Sequence, residues 1–350
     1  MLRGAGSSGI DFPALALLAS QRYVCRMETE TITPEAQTRP ETRSIGPLIE
    51  VAPDIAALRI VMVNVVFVGR AGTDDWVLVD AGLHFSAPSI LRAAAERFGP
   101  QSRPRAIVLT HAHFDHVGAL KTLAKTWDVP IYAHALEMPY ITGRSAYPPP
   151  DPTVGGGMMA RLSPMYPRGP WNLGRRVQPL PGDGTVPYMP GWRWVATPGH
   201  SPGHVSFFRD ADRALIAGDA FVTTKQESAT AVMTQRPEIH GPPMYYTIDW
   251  DNARASVRRL AELRPLSAVT GHGVPMTSAR LERGLQVLAD HFDELAMPRD
   301  GRYVREPARW NENGITSVPP ARRDPMPKVV AGTVLGLGAL MVLNRMSKRR

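Results

Sequence analysis

Residues 106–118 read AIVLTHAHFDHVG. The run opens with four apolar positions, Ala106 to Leu109, which have the length and composition of a short buried strand. It passes directly into Thr110-His111-Ala112-His113-Phe114-Asp115-His116, which packs four metal-binding side chains into six residues. In an extended chain alternate side chains share a face, so His111, His113 and Asp115 begin on one side. His116 comes round to join them as the chain turns into the helix expected over 117–127. Neutral imidazoles with a carboxylate suit zinc, iron or manganese better than calcium or magnesium.

Three later segments repeat the same arrangement, a candidate ligand beside glycine at the end of an apolar run. They are Thr197-Pro-Gly-His200-Ser-Pro-Gly-His204, Gly218-Asp219 and Gly271-His272-Gly273. Glycine lets the backbone turn sharply and approach a bound ion. The chain has one cysteine, Cys25, so neither an intramolecular disulfide nor a thiolate-rich zinc site is available. Any metal must sit on histidine and carboxylate.

The pattern around these segments is mixed. Residues 57–68 (ALRIVMVNVVFV) read as one apolar strand, and Trp76 to Val79 as another after a turn at Asp74-Asp75. A turn at Asp80-Ala81-Gly82 precedes helical spacing over 88–98, with Pro88 at an early position. Further strands are expected at Ile131 to Ala133, Trp192 to Ala196, Val205 to Phe208, Ala214 to Ala217 and Leu266 to Val269. Helices are expected over 251–263 and 277–296. Strands and helices alternate through both halves, which predicts a layered α/β architecture. From Tyr147 to Pro190 the texture changes: eleven prolines and a run of three glycines, 155–157, exclude regular structure from most of it. Its apolar anchors Met158, Met159, Met165, Tyr166 and Trp171 read as a lid or partner-binding arm rather than a free linker.

The HxHxDH motif at 111–116, followed in order by His200, Asp219 and His272 and preceded by the Asp80-Ala81-Gly82 turn, resembles the metallo-β-lactamase fold superfamily. The likeness covers about residues 45–297. It implies an αββα sandwich with metals at one edge, between two sheets. It also implies a first metal on His111, His113 and His200, and a second on Asp115, His116 and His272, with Asp219 bridging. Two divalent ions, zinc first and iron or manganese as alternatives, would then share a water and lower its pKa toward neutrality. The hydroxide so formed attacks a carbonyl or phosphoryl centre, with Asp115 orienting it or carrying a proton. Asp80 and His204 are expected beside the ligands, holding their orientation. Tyr245 and Tyr246, in Gly241-Pro-Pro-Met-Tyr-Tyr, are candidate pocket residues. His84, His134, His240 and His291 fall in no such motif.

Fold does not choose the reaction. In this family, β-lactamases with the same motif generally lack the bridging carboxylate, so Asp219 argues against that activity. Glyoxalase II-type thioesterases keep it, but their basic C-terminal portion for glutathione has no counterpart in the short stretch after His272. Quorum-sensing lactonases carry a tyrosine soon after the bridging aspartate, where this chain has Ala220-Phe221-Val222. The methionine-rich segment favours a hydrophobic ester, thioester or lactone. Two alternatives remain: a mononuclear iron dioxygenase acting on persulfides, and a phosphodiesterase or nuclease of the same fold.

The ends read differently. Residues 1–44 form an extension whose polar stretch 28–44 has a disordered composition; Met27 stands just before it as a candidate start, with 1–26 outside the mature chain. The short apolar stretch 12–19 lacks a cleavage site, so no secretory signal is read and a cytoplasmic catalytic domain is expected. Residues 298–327, rich in arginine and proline, read as a linker to 328–345. There an uncharged run of 15 residues, Val329 to Leu343, flanked by Lys328 and Arg345, is a candidate transmembrane helix and membrane anchor. The net charge of +8 comes from scattered residues, with one tight cluster at Lys348-Arg349-Arg350, so no nucleic-acid partner is expected.

Overall fold

A computed structural model of the chain describes residues 45–322. Seven strands form the first sheet in sequence order: β1 (Ile45–Ala52), β2 (Ile55–Ile60), β3 (Val63–Val68), β4 (Val77–Val79), β5 (Ala106–Val108), β6 (Ile131–Ala133) and β7 (Val177–Pro179). The first four pair antiparallel and the last four parallel. The second sheet comprises β8 (Trp192–Ala196), β9 (Val205–Arg209), β10 (Ala214–Gly218), β11 (Ser267–Thr270) and β12 (Met276–Thr277), in the order β12-β11-β10-β9-β8.

Strand alternation builds three layers of core at once. On the first sheet Leu58, Val65, Phe67, Leu78 and Ile107 face helices α1 (Ala87–Phe98) and α3 (Leu120–Trp127). Their neighbours Ala57, Val66, Val77, Val79 and Val108 face the second sheet, where they meet Val205, Phe207, Ile216 and Val269. On the far side Phe208, Leu215 and Ala268 pack under α4 (Trp250–Glu262) and α5 (Ser278–Asp290). Both faces of the central strands are therefore buried, which is why they read as continuous apolar runs. The result is the αββα sandwich.

The apolar run 57–68, expected as one strand, is a hairpin: Ile60 pairs with Val63 across a two-residue turn at Val61-Met62. Val61 takes a positive φ of 56° without the Gly, Asn or Asp that usually marks such a turn. Strand β1 carried no strand pattern because Gly46 and Pro47 interrupt it, which the outer edge of a sheet tolerates.

Two expected boundaries move. The lid read over 147–190 ends earlier, because Val177 starts β7 while Leu180, Val186 and Met189 are buried between the sheets. Residues 147–176 hold the irregular part. The linker read over 298–327 is packed over its described portion, 298–322. Tyr303 and Ala308 are buried against the α4/α5 core, and β13 (Arg309–Asn311) pairs with β14 (Gly314–Ser317) in a hairpin. Tyr303 Oη donates to the Pro149 carbonyl (2.5 Å) and the Ile315 amide to Ser145 Oγ (3.2 Å), bracing the start of the proline-rich stretch. Charge and proline misread this segment because its few aromatic anchors do the packing. The N-terminal extension 1–44 and the candidate anchor 328–345 lie outside the described residues. Among the described residues no helix is long and apolar enough to cross a membrane.

Candidate metal centre

The candidate ligands gather where strands of both sheets end. Asp80 follows β4 with a positive φ of 62°, and the 110–116 turn follows β5. The β8–β9 turn carries His200 and His204, Asp219 directly follows β10, and β11 ends before His272. The short helix α2 (Phe114–Val117) swings His116 round beside the residues that precede it.

Three imidazole nitrogens converge first. His111 Nε2 lies 3.0 Å from His113 Nδ1, which lies 2.9 Å from His200 Nε2. A second group holds Asp115, His116 and His272, with His272 Nε2 3.5 Å from Asp115 Oδ2. Asp219 stands between them: its Oδ2 is 3.4 Å from His200 Nε2, 3.6 Å from His116 Nε2 and 3.1 Å from His272 Nε2. All seven side chains are buried.

Hydrogen bonds on the outer faces fix the rings. His116 Nδ1 meets Asp80 Oδ2 at 2.8 Å, and His272 Nδ1 donates to the Met62 carbonyl at 2.6 Å. His111 Nδ1 lies 3.1 Å from Thr110 Oγ1, whose own proton goes to Asp80 Oδ2 at 2.8 Å. His200 Nδ1 faces Thr247 Oγ1 at 3.5 Å. In all four rings the Nε2 lone pair is left pointing inward, the arrangement that ligand histidines use. His204 takes no part in the cluster. Its Nε2 accepts the Asp219 amide (2.8 Å) and its Nδ1 donates to Thr197 Oγ1 (2.8 Å), so it holds the backbone of Asp219 in place.

The electrostatics divide the imidazoles: burial disfavours the charged form of His111, His113, His200 and His204, whereas neighbouring carboxylates, Asp219 foremost, raise His116 and His272. Burial, then the nearby His116 ring, holds His111 well below its ordinary pKa; burial and then His200 do the same to His113. Burial takes His200 down to about 4, and burial followed by His200 takes His204 down to about 3. At His116 burial acts to lower the pKa, but the Asp219 and Asp80 carboxylates outweigh it and raise the ring well above 6.5. Burial opposes ionisation of Asp219, yet His272 and His116 keep it charged. Burial raises the Asp115 carboxyl.

The site fits divalent metal. A tetrahedral ion with bonds of about 2.0–2.1 Å separates its ligand atoms by roughly 3.3 Å, close to the spacings here. His116 Nε2 and Asp219 Oδ1 are buried with no hydrogen-bond partner, a costly state that an ion would relieve. Gly271 is the close approach that permits this. A Cβ there would fall 2.0 Å from Asp219 Oδ1 and 2.8 Å from His116 Cε1.

Of the two candidate pocket tyrosines, Tyr246 reaches the site, its ring stacked on His113 at 4.5 Å between centroids. Tyr245 packs behind it with Val154 and Ala160. Glu137 and Tyr147 were not read from the sequence. The Glu137 carboxylate is buried against the 110–116 turn, and the Tyr147 ring lies 4.4 Å from His113. Neither sits in a motif; the only trace was an acid within an otherwise apolar stretch after β6.

Known proteins similar to this chain fall in one family. The family model described as the metallo-beta-lactamase superfamily matches residues 58–272. "Probable metallo-hydrolase YflN" of Bacillus subtilis is 44% identical over 251 residues, covering 71% of this chain and 95% of that protein. "Probable metallo-hydrolase YybB" of the same organism is 30% identical over 200 residues, covering 57% of this chain and 76% of that protein. A solved metallo-beta-lactamase of Cronobacter sakazakii with a HARLDQ motif overlays with a TM-score of 0.42 at 20% identity, over 64% of this chain and 77% of that one.

Proposed function

The chain belongs to the metallo-beta-lactamase superfamily, a metallo-hydrolase of that fold, and from this we propose that it cleaves apolar esters, thioesters or lactones at a dinuclear zinc centre. One observation supports the dinuclear reading above the rest. Asp219 Oδ2 lies within 3.1–3.6 Å of histidines from both groups, where a bridging carboxylate belongs. His111, His113 and His200 would hold one ion, and Asp115, His116 and His272 the other.

Two such ions supply a nucleophile drawn from water at neutral pH and polarise the oxygen of the attacked carbonyl. The protein's own groups do the rest. Asp115, its carboxyl raised by burial, is suited to take and return a proton beside His272. Asp80, Thr110 and the Met62 carbonyl keep the imidazoles aimed inward. Tyr246, stacked on His113 and packed with Phe114, Tyr166 and Tyr245, would offer an apolar surface beside the histidines for an acyl group. The Tyr246 hydroxyl is buried without a hydrogen-bond partner and would be available to a substrate oxygen. A panel of thioesters, lactones, aryl esters and a bis-aryl phosphodiester tests the substrate class. Acyl hydrolysis is the expected result; phosphodiester cleavage without acyl cleavage overturns it.

A further inference from the structure

Glu137 carries a fully buried carboxylate, and no salt bridge is formed to it among the described residues. An unpaired buried charge is costly unless hydrogen bonds replace its water. Four donors do so here. On one side Oε2 accepts the Ala112 amide (3.1 Å) and the Tyr147 hydroxyl. On the other, Oε1 accepts Ser201 Oγ (2.8 Å) and the Gly203 amide (2.7 Å).

The position of these donors matters more than their number. Ala112 lies between His111 and His113, Ser201 follows His200, and the ring of Tyr147 packs on His113. The carboxylate therefore joins the turn after β5 to the β8–β9 turn, which belongs to the other sheet. One backbone bond, Val205 N to the Thr110 carbonyl (3.0 Å), runs alongside it. The approach is close: a Cβ at Gly203 would stand 2.8 Å from the Glu137 amide and 2.9 Å from its Cγ. The other half of the centre has its own direct supports, Asp80 under His116 and the Met62 carbonyl under His272; Asp80 also reaches His111 through Thr110, and Glu137 touches neither support.

We propose that Glu137 is the positioning residue of the three-histidine half: by tying the His111–His113 turn to the His200 turn it sets the spacing at which those rings receive a metal ion. This rests on the dinuclear reading above. Glu137→Gln keeps the shape but turns one acceptor oxygen into an NH2 that must face donors on one side. The other half should not feel the change.

The test is zinc titration of chelator-stripped full-length chain, followed by calorimetry, with wild type, E137Q, D80N and S201A. Wild type is expected to bind two zinc ions in separable steps; if it binds fewer, the dinuclear reading fails before Glu137 is at issue. E137Q is expected to weaken one step at least about tenfold and leave the other within about twofold, the range in which groups supporting metal ligands act. D80N, which removes the direct partner of His116 and reaches His111 only through Thr110, is expected to weaken the opposite step the more. S201A, which removes a single donor, follows E137Q with a smaller loss and serves if E137Q does not fold. Equal weakening of both steps in E137Q, no weakening in E137Q and S201A, or E137Q and D80N having their larger effect on the same step overturns the proposal.

Discussion

His113 Nδ1 lies 2.9 Å from His200 Nε2, although the residues are 87 positions apart and hang from different sheets. Nothing local brings them together. The sandwich does, because β5 and the β8–β9 turn finish at the same edge. Small displacements at that edge should therefore register first as lost metal and only later as lost fold.

Gly271→Ala tests this most sharply. The added methyl would occupy the space of Asp219 Oδ1, and the carboxylate has no room to retreat beneath His116. We expect zinc content to fall to one ion per chain or fewer and kcat/KM to drop by about 100-fold or more, with far-UV circular dichroism retained. A variant with full metal content would show that Asp219 is not held where the geometry puts it.

Tyr246→Phe separates packing from substrate contact. The hydroxyl has no partner to lose, while the ring keeps its stack on His113. Thermal stability and zinc affinity should stay near wild type, and kcat/KM should fall by about tenfold, the scale of one lost hydrogen bond. Unchanged kinetics across the acyl panel would remove Tyr246 from the pocket.

Phe207, fully buried between the sheets, gives the measure of the core. Phe207→Ala should cost about 3–5 kcal/mol in urea unfolding. Phe85→Ala, at a position 60% exposed, should stay within about 0.5 kcal/mol. Similar costs at both sites would contradict the layer assignment.

His204 makes a pH prediction. Burial, then the His200 ring, lowers its folded pKa to about 3, whereas an unfolded histidine titrates near 6.5. Between those values the unfolded chain holds the extra proton, so this contribution to stability is complete above about pH 6.5 and is lost as pH falls toward 3. In metal-stripped protein, the stability advantage of wild type over His204→Gln should shrink by about 2 kcal/mol between pH 7 and pH 5. A constant gap would mean that the folded protein accepts a charged His204.

The candidate ligands that the structure brings together were legible because they sit in short motifs, and the glycines beside His200, Asp219 and His272 marked where the chain bends. Asp80 was legible for the same reason. Glu137 and Tyr147 were not: their roles arise from contacts 25 to 66 residues away, and nothing local distinguishes them. The hairpin at Val61-Met62 was missed because a valine occupies the position that glycine usually takes. The 298–322 segment was misjudged for a related reason. Its packing depends on a few apolar residues, Tyr303 and Ala308 with Val304, Trp310, Ile315 and Val318, spread among many charged and proline residues.

The central claim is a two-metal centre spanned by Asp219. Elemental analysis of the purified chain, set beside Asp219→Asn, tests it most directly. About two zinc ions per chain are expected in wild type and one or fewer in the variant, with acyl hydrolysis lost alongside. A single iron in both proteins, with no hydrolysis of any acyl substrate, would contradict it.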